Sequence, residues 1–309
     1  MSGPSTVDRV ALVTGATSGI GREVSRRLAA LGWTTVVIGR GQDRASEVAA
    51  RIAASTGNPR VEALSVADLA LRSDVRSLVS SIHARYPRVH LLVNNAGAYF
   101  ARREVSADGL ERTFALNVLA PFALTVGLAD RLRASAPSTV VQVTSAAHRG
   151  ARVDLADLQS ASRYRGYRQY GRSKLELLLL TRELARRFAG SGVTVNAVHP
   201  GFIRSAFGEN TPGGARIGFR LAKFLFARSV GTGARNIVHV ATDPAAAALT
   251  GEYYSGERRA RASTASYDVE VARKLFEACQ MLATAPDLVA AADGGRTGIP
   301  PPERSSGTA

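Results

Sequence analysis

The feature of the sequence that most constrains its fold is a regular alternation of short apolar runs with longer stretches of helical spacing. Six runs rich in β-branched residues predict strands at 10–14, 34–38, 60–66, 90–94, 139–144 and 193–199. The stretches between them predict helices at 19–31, 43–55, 72–86, 108–134, with a kink at Pro121, and 169–189. Alternation of this kind builds parallel βαβ units. The pattern therefore predicts an α/β fold, a doubly wound parallel sheet between two layers of helices.

One domain is expected to cover residues 1–285, because no internal repeat and no linker rich in proline and glycine interrupts the pattern. Residues 286–309 are rich in glycine, proline and serine and predict a flexible C-terminal tail. No run approaches the roughly 18 apolar residues of a membrane span, and the first residues lack the layout of a signal peptide. With Cys279 as the single cysteine, no internal disulfide can form, so we expect a cytoplasmic protein without a membrane anchor.

The formal net charge of +15 allows two interpretations. A strongly basic chain can bind nucleic acid, an anionic surface or an anionic ligand. However, all but three of the 40 basic residues are arginine, the exceptions being Lys174, Lys223 and Lys274. Such a bias is typical of a GC-rich genome, and the charge then lies on a solvated surface. The second interpretation is favoured, and nucleic acid is not expected as a partner.

A glycine-rich turn joins the first predicted strand to the first predicted helix. Its sequence over residues 14–21 is TGATSGIG. Glycines at such a turn let backbone N–H groups approach a pyrophosphate at the helix N-terminus, where the helix dipole favours negative charge. The strand before the turn and the helix after it predict a Rossmann-type dinucleotide site. The residues assigned to this site are Gly15, Thr17, Ser18, Gly19, Ile20 and Gly21.

The end of the second predicted strand distinguishes the two nicotinamide dinucleotides. An acidic residue there would bind the ribose 2′-hydroxyl of NAD(H). This chain has Gly39-Arg40 instead, and its next acidic residue is Asp43. The guanidinium of Arg40 suits a 2′-phosphate. We therefore expect NADP(H) in preference to NAD(H).

Tyr170 and Lys174 are four residues apart in a predicted helix, so they share one of its faces. A free tyrosine has a pKa of about 10, and a neighbouring ammonium is expected to lower it. A tyrosine tuned in this way donates a proton to a carbonyl oxygen or removes one from an alcohol. Ser145 follows the fifth strand, and Asn94-Asn95-Ala96-Gly97 follows the fourth. The carboxyl ends of parallel strands share one edge, so these residues should converge with the glycine turn.

In these motifs the sequence resembles the short-chain dehydrogenase/reductase family over about residues 8–260. Asn117, Ser145, Tyr170 and Lys174 match the family's Asn-Ser-Tyr-Lys tetrad in order. The other matching elements are the turn at 14–21 (cofactor loop), Asp68-Leu69 (adenine-contacting pair), Asn94-Asn95-Ala96-Gly97 (NNAG element) and Pro200-Gly201 (turn beside the nicotinamide). Within the family, TSAAH at 144–148 and VHPG at 198–201 are most similar to the retinol-dehydrogenase and WW-domain-oxidoreductase branch.

The resemblance implies an NADP(H)-dependent oxidoreductase that transfers a hydride between nicotinamide and a carbonyl/alcohol pair, as a ketoreductase or alcohol dehydrogenase. It implies that Tyr170 is the acid/base and that Lys174 lowers its pKa and binds the nicotinamide ribose. Ser145 would bind the substrate oxygen, and Asn117 would hold the site geometry and a relay water. Besides the glycine turn and Arg40, the implied cofactor contacts are Asp68, Leu69, Asn95, Ala96, Gly97, Tyr170, Lys174, Pro200, Gly201, Ile203 and Ser205.

The substrate is less well specified by the sequence. The family places its substrate loop at about 205–228, where this chain carries apolar residues: Phe207, Phe219, Leu221, Phe224, Leu225 and Phe226. They would line a pocket for a lipophilic ligand, form the core face of a lid helix, or contact a second copy in a homo-oligomer. His148 and His199 have no further ligands at metal-binding spacing, so no metal is expected.

Residues 149–172 interleave six arginines with three tyrosines. Such a mixture binds single-stranded nucleic acid or an acidic substrate, or simply forms a solvated loop beside the site.

Two further function classes stay open at this point. A same-fold enzyme with different chemistry, such as an epimerase, a cyclase or a C=C reductase of specialised biosynthesis, is compatible with the tetrad, because the tetrad does not identify the substrate. A redox-sensing or nucleic-acid-binding protein on the same fold is less favoured. Such regulators typically lose the catalytic tyrosine or lysine, and Tyr170 and Lys174 are both present.

Overall fold

Eight strands form one sheet in the computed structural model, which describes residues 9–201 and 230–285 of the chain. The strands are Val10–Thr14 (β1), Thr34–Gly39 (β2), Val61–Ser65 (β3), Leu91–Asn94 (β4), Ser138–Val143 (β5), Val193–His199 (β6), Tyr253–Ser255 (β7) and Arg258–Arg259 (β8). Their order across the sheet is β3-β2-β1-β4-β5-β6-β7-β8. The first seven strands run parallel, and β8 pairs antiparallel with β7 at the edge.

Helices connect the strands. Their bounds are Gly19–Ala30 (α1), Gln42–Thr56 (α2), Arg72–Arg85 (α3), Arg112–Phe114 (α4), Ala120–Gly127 (α5), Ala129–Arg133 (α6), Gly166–Arg187 (α7), Val230–Thr242 (α8), Pro244–Ala247 (α9) and Val269–Thr284 (α10), and a π-helical turn, Ala115–Leu119, joins α4 to α5. No helix among the described residues is both long and apolar enough to cross a bilayer.

The sheet separates two hydrophobic clusters. One lies beneath α3, α5, α7 and α10 and includes Phe122, Leu175 and Leu275. The other lies beneath α1, α2 and α8 and includes Leu28 and Ile237. The strands β1, β2, β4, β5 and β6 are buried on both faces, which is why they appear in the sequence as nearly continuous apolar runs. The prediction of a doubly wound α/β sheet with three layers is therefore confirmed.

The strand order reverses at β1, which pairs with β2 on one side and β4 on the other. The chain builds β1, β2 and β3 outward in one direction, then crosses back and builds β4 to β7 in the other. Connections that leave the carboxyl ends of β1 and β4 therefore run to opposite faces of the sheet and leave a crevice between them.

The single kinked helix predicted at 108–134 is wrong in its bounds and its interior. Helical structure begins at Arg112, because the carboxylate of Glu111 accepts hydrogen bonds from the backbone N–H groups of Thr113 and Phe114. The next turn is π-helical, and the N–H of Ala120 reaches the carbonyl of Ala115. Pro121 has no amide hydrogen, so the turn before it cannot complete the α-helical pattern.

The sequence pattern gives no bounds for strands or helices after residue 199. In the structure, β7 continues the parallel sheet through pairs such as Ala197 with Tyr253, and α8 covers one face. A strand of three residues is too short to show a periodicity. The expected substrate loop at 205–228 and the expected tail at 286–309 lie outside the described residues.

One carboxyl side chain lies in the core without a hydrogen-bond partner among the described residues. Glu176, on α7, is fully buried, and neither of its carboxyl oxygens has a hydrogen-bond partner among the described residues. Burial raises the pKa of this carboxyl to about 8, against a smaller lowering by the charge of Arg172, and the charge of Glu111 adds a little to the rise. Because the folded pKa is raised, the stability associated with the protonated form is lost as pH rises through the interval between the ordinary value and 8.

Replacing Glu176 with glutamine keeps the shape and removes this titration. We expect the free energy of unfolding of Glu176→Gln, relative to that of the unmodified protein, to rise by up to about 1.4 kcal/mol per pH unit between pH 5 and pH 8. Urea denaturation across this interval measures the difference, and Glu47→Gln on the exposed face of α2 is the matched control. Parallel stability curves for Glu176→Gln and the unmodified protein would contradict the assignment.

Candidate active site

The turn between β1 and α1 follows a path that requires glycine. Gly15 and Gly19 have φ values of 64° and 53°, in the left-handed region that residues with a Cβ avoid. A Cβ on Gly21 would lie 2.5 Å from the carbonyl oxygen of Gly15 and 2.5 Å from Nδ2 of Asn95. The close approach of these groups therefore depends on the absence of side chains.

Asn95 and Thr14 hold this turn against the end of β4. The side-chain amide of Asn95 donates to the carbonyl of Thr14 at 2.8 Å. In return, the Thr14 hydroxyl accepts from the backbone N–H groups of Asn95 and Ala96, each at 3.0 Å. Asn95 and Ala96, both predicted to contact the cofactor, thus lie beside the glycine turn. The side-chain amide of Asn95 is used to hold the turn in place.

The N-terminus of α1 fits the diphosphate of a dinucleotide. The backbone N–H groups of Gly19, Ile20 and Gly21 are the first three of the helix and have no acceptor within it. The exposed Ser18 makes no capping hydrogen bond with its side chain, and no acidic residue lies in the first turn. Free donors and the positive end of the helix dipole together favour an anion here.

The side chain of Thr17, in the middle of the glycine turn, packs on the end of β2. A Cβ on Gly39 would collide with Cγ2 of Thr17 and would come within 3.1 Å of its Oγ1. Gly39 therefore allows the turn to lie directly over β2. Arg40 follows at the carboxyl end of this strand with an exposed side chain, and its contact with a 2′-phosphate stays a prediction.

Asp68 and Leu69 follow β3 at the same edge of the sheet. The Asp68 carboxylate forms an ion pair with Arg112 at 2.7 Å, and the Leu69 side chain packs into the core beneath α3. Both side chains therefore have structural partners. The adenine contact that the resemblance implies for Asp68 and Leu69 stays a prediction. It would be made by the exposed parts of these two residues.

Ser145, Tyr170 and Lys174 come together above the carboxyl end of β5. Tyr170 lies in the second turn of α7, and its phenol is hydrogen-bonded to Ser145. The Ser145 hydroxyl also accepts from the backbone N–H of Ala147 at 3.2 Å. Nζ of Lys174 lies 5.6 Å from the centre of the Tyr170 ring. The structure thus unites three of the four predicted catalytic side chains.

Lys174 is almost fully buried, and its ammonium donates to the carbonyl oxygen of Val143 at 3.1 Å. A Cβ on Gly97 would lie 3.3 Å from Nζ of Lys174 and 3.1 Å from Oδ1 of Asn117. Gly97 thus keeps the loop after β4 close to both side chains. It lies where the NNAG element was expected to line the cofactor site.

Asn117, the fourth predicted catalytic residue, lies in the π-helical turn. Its side chain forms two hydrogen bonds of 2.9 Å with the backbone of Ala98, donating to the carbonyl and accepting from the N–H. Its amide also donates to the hydroxyl of Ser173 at 3.1 Å. Asn117 therefore joins the loop after β4 to the helix that carries Tyr170. π-helical turns frequently occur at functional sites.

The pKa of Tyr170 differs in direction from the expectation. Burial raises the pKa of Tyr170 to about 12, against a smaller lowering by the hydrogen bond from Ser145. Burial also lowers the pKa of Lys174 to about 8. The expected lowering at Tyr170 was wrong, because both groups are desolvated and the ammonium is directed at the Val143 carbonyl rather than at the phenol.

The contacts of His148 give it a positioning role. Its Nδ1 lies 2.7 Å from the carbonyl oxygen of Ser145, and its Nε2 accepts from the backbone N–H of Ser263 at 3.2 Å. Burial lowers the pKa of His148, so the neutral ring donates through Nδ1 and accepts through Nε2. Among residues 9–201 and 230–285 there is no group of three or more metal-ligating side chains.

Two positioning residues escaped the sequence analysis. The fully buried Glu111 caps α4 and also accepts a hydrogen bond of 2.8 Å from the Gln169 amide. Gln169 immediately precedes Tyr170. The side-chain oxygen Oε1 of Gln169 accepts a hydrogen bond from the hydroxyl of Ser160 at 2.7 Å. The pair therefore fixes the segment that carries Asn117 against the start of α7. A capping pattern before an apolar run was the available signal for Glu111, whereas nothing in the sequence indicates Gln169.

The turn after β6 is described only in part. The carbonyl of Pro200 accepts from the side-chain amide of Asn236 at 3.0 Å, and Gly201 has a φ of 103°. Both lie at the carboxyl end of β6, beside the site. The predicted cofactor contacts Ile203 and Ser205 lie outside the described residues.

The contact between Thr17 and Gly39 makes a test of the glycine turn possible. We expect Gly39→Ala to weaken dinucleotide binding by roughly tenfold or more, because the new Cβ displaces Thr17 and, with it, the phosphate-facing backbone. Thr17→Ser removes the Cγ2 that collides, so the double variant should recover most of the affinity. Calorimetric titration with the dinucleotide measures both effects, and equal affinities for Gly39→Ala and the double variant would contradict this explanation.

Comparison with known proteins places this geometry in a family. The family model described as short chain dehydrogenase matches residues 9–216. Retinol dehydrogenase 13 from Mus musculus is 36% identical over 273 residues, which cover 87% of this chain and 81% of that protein. Polyprenol dehydrogenase from Homo sapiens is 33% identical over 285 residues, which cover 90% and 86%.

A solved structure gives the same result. The NADP active-site complex of RhlG from Pseudomonas aeruginosa is 26% identical and aligns with a TM-score of 0.64 over 80% of this chain and 94% of that chain. The chain therefore belongs to the short-chain dehydrogenase/reductase family, in the retinol dehydrogenase branch, and is an oxidoreductase that acts on an alcohol or a carbonyl group.

Proposed function

We propose that the protein is an NADP(H)-dependent oxidoreductase, a ketoreductase or alcohol dehydrogenase, that transfers a hydride between nicotinamide and a lipophilic or biosynthetic carbonyl/alcohol pair, and that it works in the cytoplasm. The observation that carries the proposal is the hydrogen-bonded pair of hydroxyls, Ser145 and Tyr170, beside the buried ammonium of Lys174. The nicotinamide, when bound, supplies the hydride. The residues of this chain supply the proton and the positioning.

Tyr170 is suited to donate the proton. With a pKa of about 12, its phenol stays protonated throughout the neutral range. A substrate oxygen that binds between Tyr170 and Ser145 receives hydrogen bonds from both hydroxyls as negative charge develops on it. In the reverse direction the phenolate of Tyr170 takes the proton from the alcohol, so the same pair of hydroxyls serves both directions.

Lys174 stabilises the state that follows proton transfer. Below its pKa of about 8, Lys174 is an ammonium, and it lies on the same face of α7 as Tyr170. A phenolate that forms at Tyr170 meets this positive charge in a site with little water, where the attraction is strong. A phenolate at Tyr170 therefore favours the protonated form of Lys174, and protonated Lys174 favours the phenolate.

NADP(H) is proposed over NAD(H) because of Arg40. The end of β2 offers an exposed guanidinium and no carboxylate until Asp43, in the first turn of α2. A guanidinium forms paired, charge-assisted hydrogen bonds with a phosphate group. The NADP complex of the Pseudomonas protein is consistent with this choice.

The proposed substrate class rests on the names of the relatives. Retinol and polyprenol are long, apolar alcohols, and enzymes named for them are 36% and 33% identical to this chain. The relatives do not favour the alternative of an epimerase, a cyclase or a C=C reductase. The cytoplasm is proposed because the single thiol, Cys279, is buried and has no partner cysteine.

Tyr170→Phe tests the proton donor. We expect turnover of an aldehyde or ketone with NADPH to fall by roughly a hundredfold or more, because phenylalanine has no proton to give. The dissociation constant of NADPH should change little. Tyr267→Phe, which removes the hydroxyl of an exposed tyrosine outside the site, is the control for both measurements. Full turnover by Tyr170→Phe would refute the assigned role.

Arg40→Gln tests the cofactor preference. We expect the affinity for NADPH to fall by roughly ten- to a hundredfold, the usual effect of losing charge-assisted hydrogen bonds, while the affinity for NADH stays the same. Arg51→Gln, at the other end of α2, is the matched control. A parallel loss of affinity for both dinucleotides would show that Arg40 does not read the 2′-phosphate.

A further inference from the structure

Five arginines with exposed side chains lie near the start of α7. They are Arg102, Arg152, Arg163, Arg165 and Arg168, and together they are called the basic rim. None of them forms a hydrogen bond or an ion pair with a residue in the described parts of the chain. The reaction proposed above makes no use of these side chains.

Backbone contacts place the basic rim beside Tyr170. The phenol of Tyr164 donates to the carbonyl of Phe100 at 2.9 Å, and a Cβ on Gly166 would collide with the same carbonyl. These contacts join the segment of Arg102 to the start of α7. On the other side of the helix, a Cβ on Gly171 would lie 2.6 Å from the carbonyl oxygen of Ala147, in the segment that leads to Arg152. Tyr170 lies between these two contacts.

The charge of the basic rim is not neutralised locally. Two nearby carboxylates, Asp154 and Asp157, accept hydrogen bonds from backbone N–H groups of their own loop and pair with no arginine of the basic rim, so their two negative charges leave the five arginines with a net positive charge. The first turn of α7 contains no acidic residue, so the positive end of its dipole adds to the arginine charges. Arginines elsewhere on the surface commonly pair with a glutamate on the same helix, as in the following pairs: Arg26–Glu23, Arg51–Glu47, Arg187–Glu183 and Arg273–Glu270.

An aromatic side chain lies within the basic rim. Tyr167 is 58% exposed and stands between Arg165 and Arg168 in the first turn of α7. Tyrosine has an apolar ring with a polar tip and is enriched where protein meets the headgroup layer of a membrane. Basic residues near an anionic bilayer each add a favourable contribution to binding.

We propose that the basic rim docks the protein reversibly on the surface of an anionic lipid bilayer, with Tyr167 in the headgroup layer and the side of the site that carries Tyr170 turned toward the lipid. The proposal rests on the lipophilic substrate proposed above, because such a substrate partitions into bilayers. Docking in this orientation lets the substrate pass from lipid to Tyr170 without crossing bulk water.

A nucleic acid strand is a poorer match for the same surface. Binding of single strands needs several exposed aromatic rings on which successive bases stack. Tyr167 offers such a ring, but the phenol of Tyr164 is engaged with Phe100 and its side chain is half-buried. A bilayer needs only a charged surface with one interfacial side chain, which is what the basic rim provides.

Vesicle flotation tests the docking surface. The full chain is mixed with vesicles of phosphatidylcholine alone or with about a third phosphatidylserine, at low and at raised salt. We expect binding to the anionic vesicles only, weakened by salt. Each arginine near the surface contributes roughly fivefold to binding, so the triple variant Arg163→Gln/Arg165→Gln/Arg168→Gln should bind on the order of a hundredfold more weakly.

A matched triple variant separates the basic rim from net charge. Arg51→Gln/Arg88→Gln/Arg186→Gln removes the same charge from exposed side chains near the ends of α2, α3 and α7 that face the opposite edge of the sheet. We expect this variant to keep at least half of the vesicle binding. An equal loss in both triple variants, or equal binding to neutral and anionic vesicles, would overturn the proposal. So would binding of the protein to a single-stranded oligonucleotide that competes fully with anionic vesicles.

The orientation has its own test. The chain has one tryptophan, Trp33, which is 6% exposed. In the variant Tyr167→Trp, anionic vesicles should shift the emission to shorter wavelength, whereas Leu31→Trp, at the exposed C-terminal end of α1, should show no shift. A shift at residue 31 and none at residue 167 would overturn the orientation.

These measurements also separate docking from the proposed reaction. Vesicle binding is measured without turnover, and turnover is measured on a water-soluble aldehyde without vesicles. Vesicle binding that depends on the basic rim, together with absent turnover, would refute the proposed function and leave the docking surface standing. Normal turnover without selective vesicle binding would refute the docking surface alone.

Discussion

The hydrogen bonds between Thr14 and Asn95 are the contact on which the rest of the site depends. They join β1 to the loop after β4 at the point where the strand order reverses. On one side they fix the glycine turn, whose close packing leaves no room for a Cβ on Gly21. On the other they fix the loop that continues to Gly97 and so to Lys174. The glycine turn, proposed to bind phosphate, and the side chains proposed to transfer the proton are thus held by the same contact.

Behind Tyr170, a second set of polar contacts keeps this proposed proton donor in place. Glu111, Gln169 and Asn117 connect the π-helical turn to α7 through buried hydrogen bonds, each of which would cost free energy to leave unsatisfied. This rigidity has an electrostatic consequence. Side chains that cannot turn toward water keep their desolvated pKa values, which is why burial dominates at both Tyr170 and Lys174.

The sequence was sufficient for the parts of the fold that depend on local pattern. Buried parallel strands appear as apolar runs, and the glycine turn and the tetrad have fixed spacings, so their positions followed directly. The break in the helix predicted at 108–134 depends on the missing amide of Pro121 and on the cap at Glu111, which a 3.6-residue periodicity does not show. The raised pKa of Tyr170 and the role of Gln169 arise from burial by distant segments. No local signal carries that information.

The buried carboxyl of Glu176 ties the stability of the fold to pH. Because burial raises its pKa to about 8, its ionisation places a charge in the core, and stability is lost as the pH rises toward that value. Glu176 and Tyr170 lie on the same helix, α7. Loosening of α7 around a charged Glu176 would therefore reach the segment that positions the proposed proton donor.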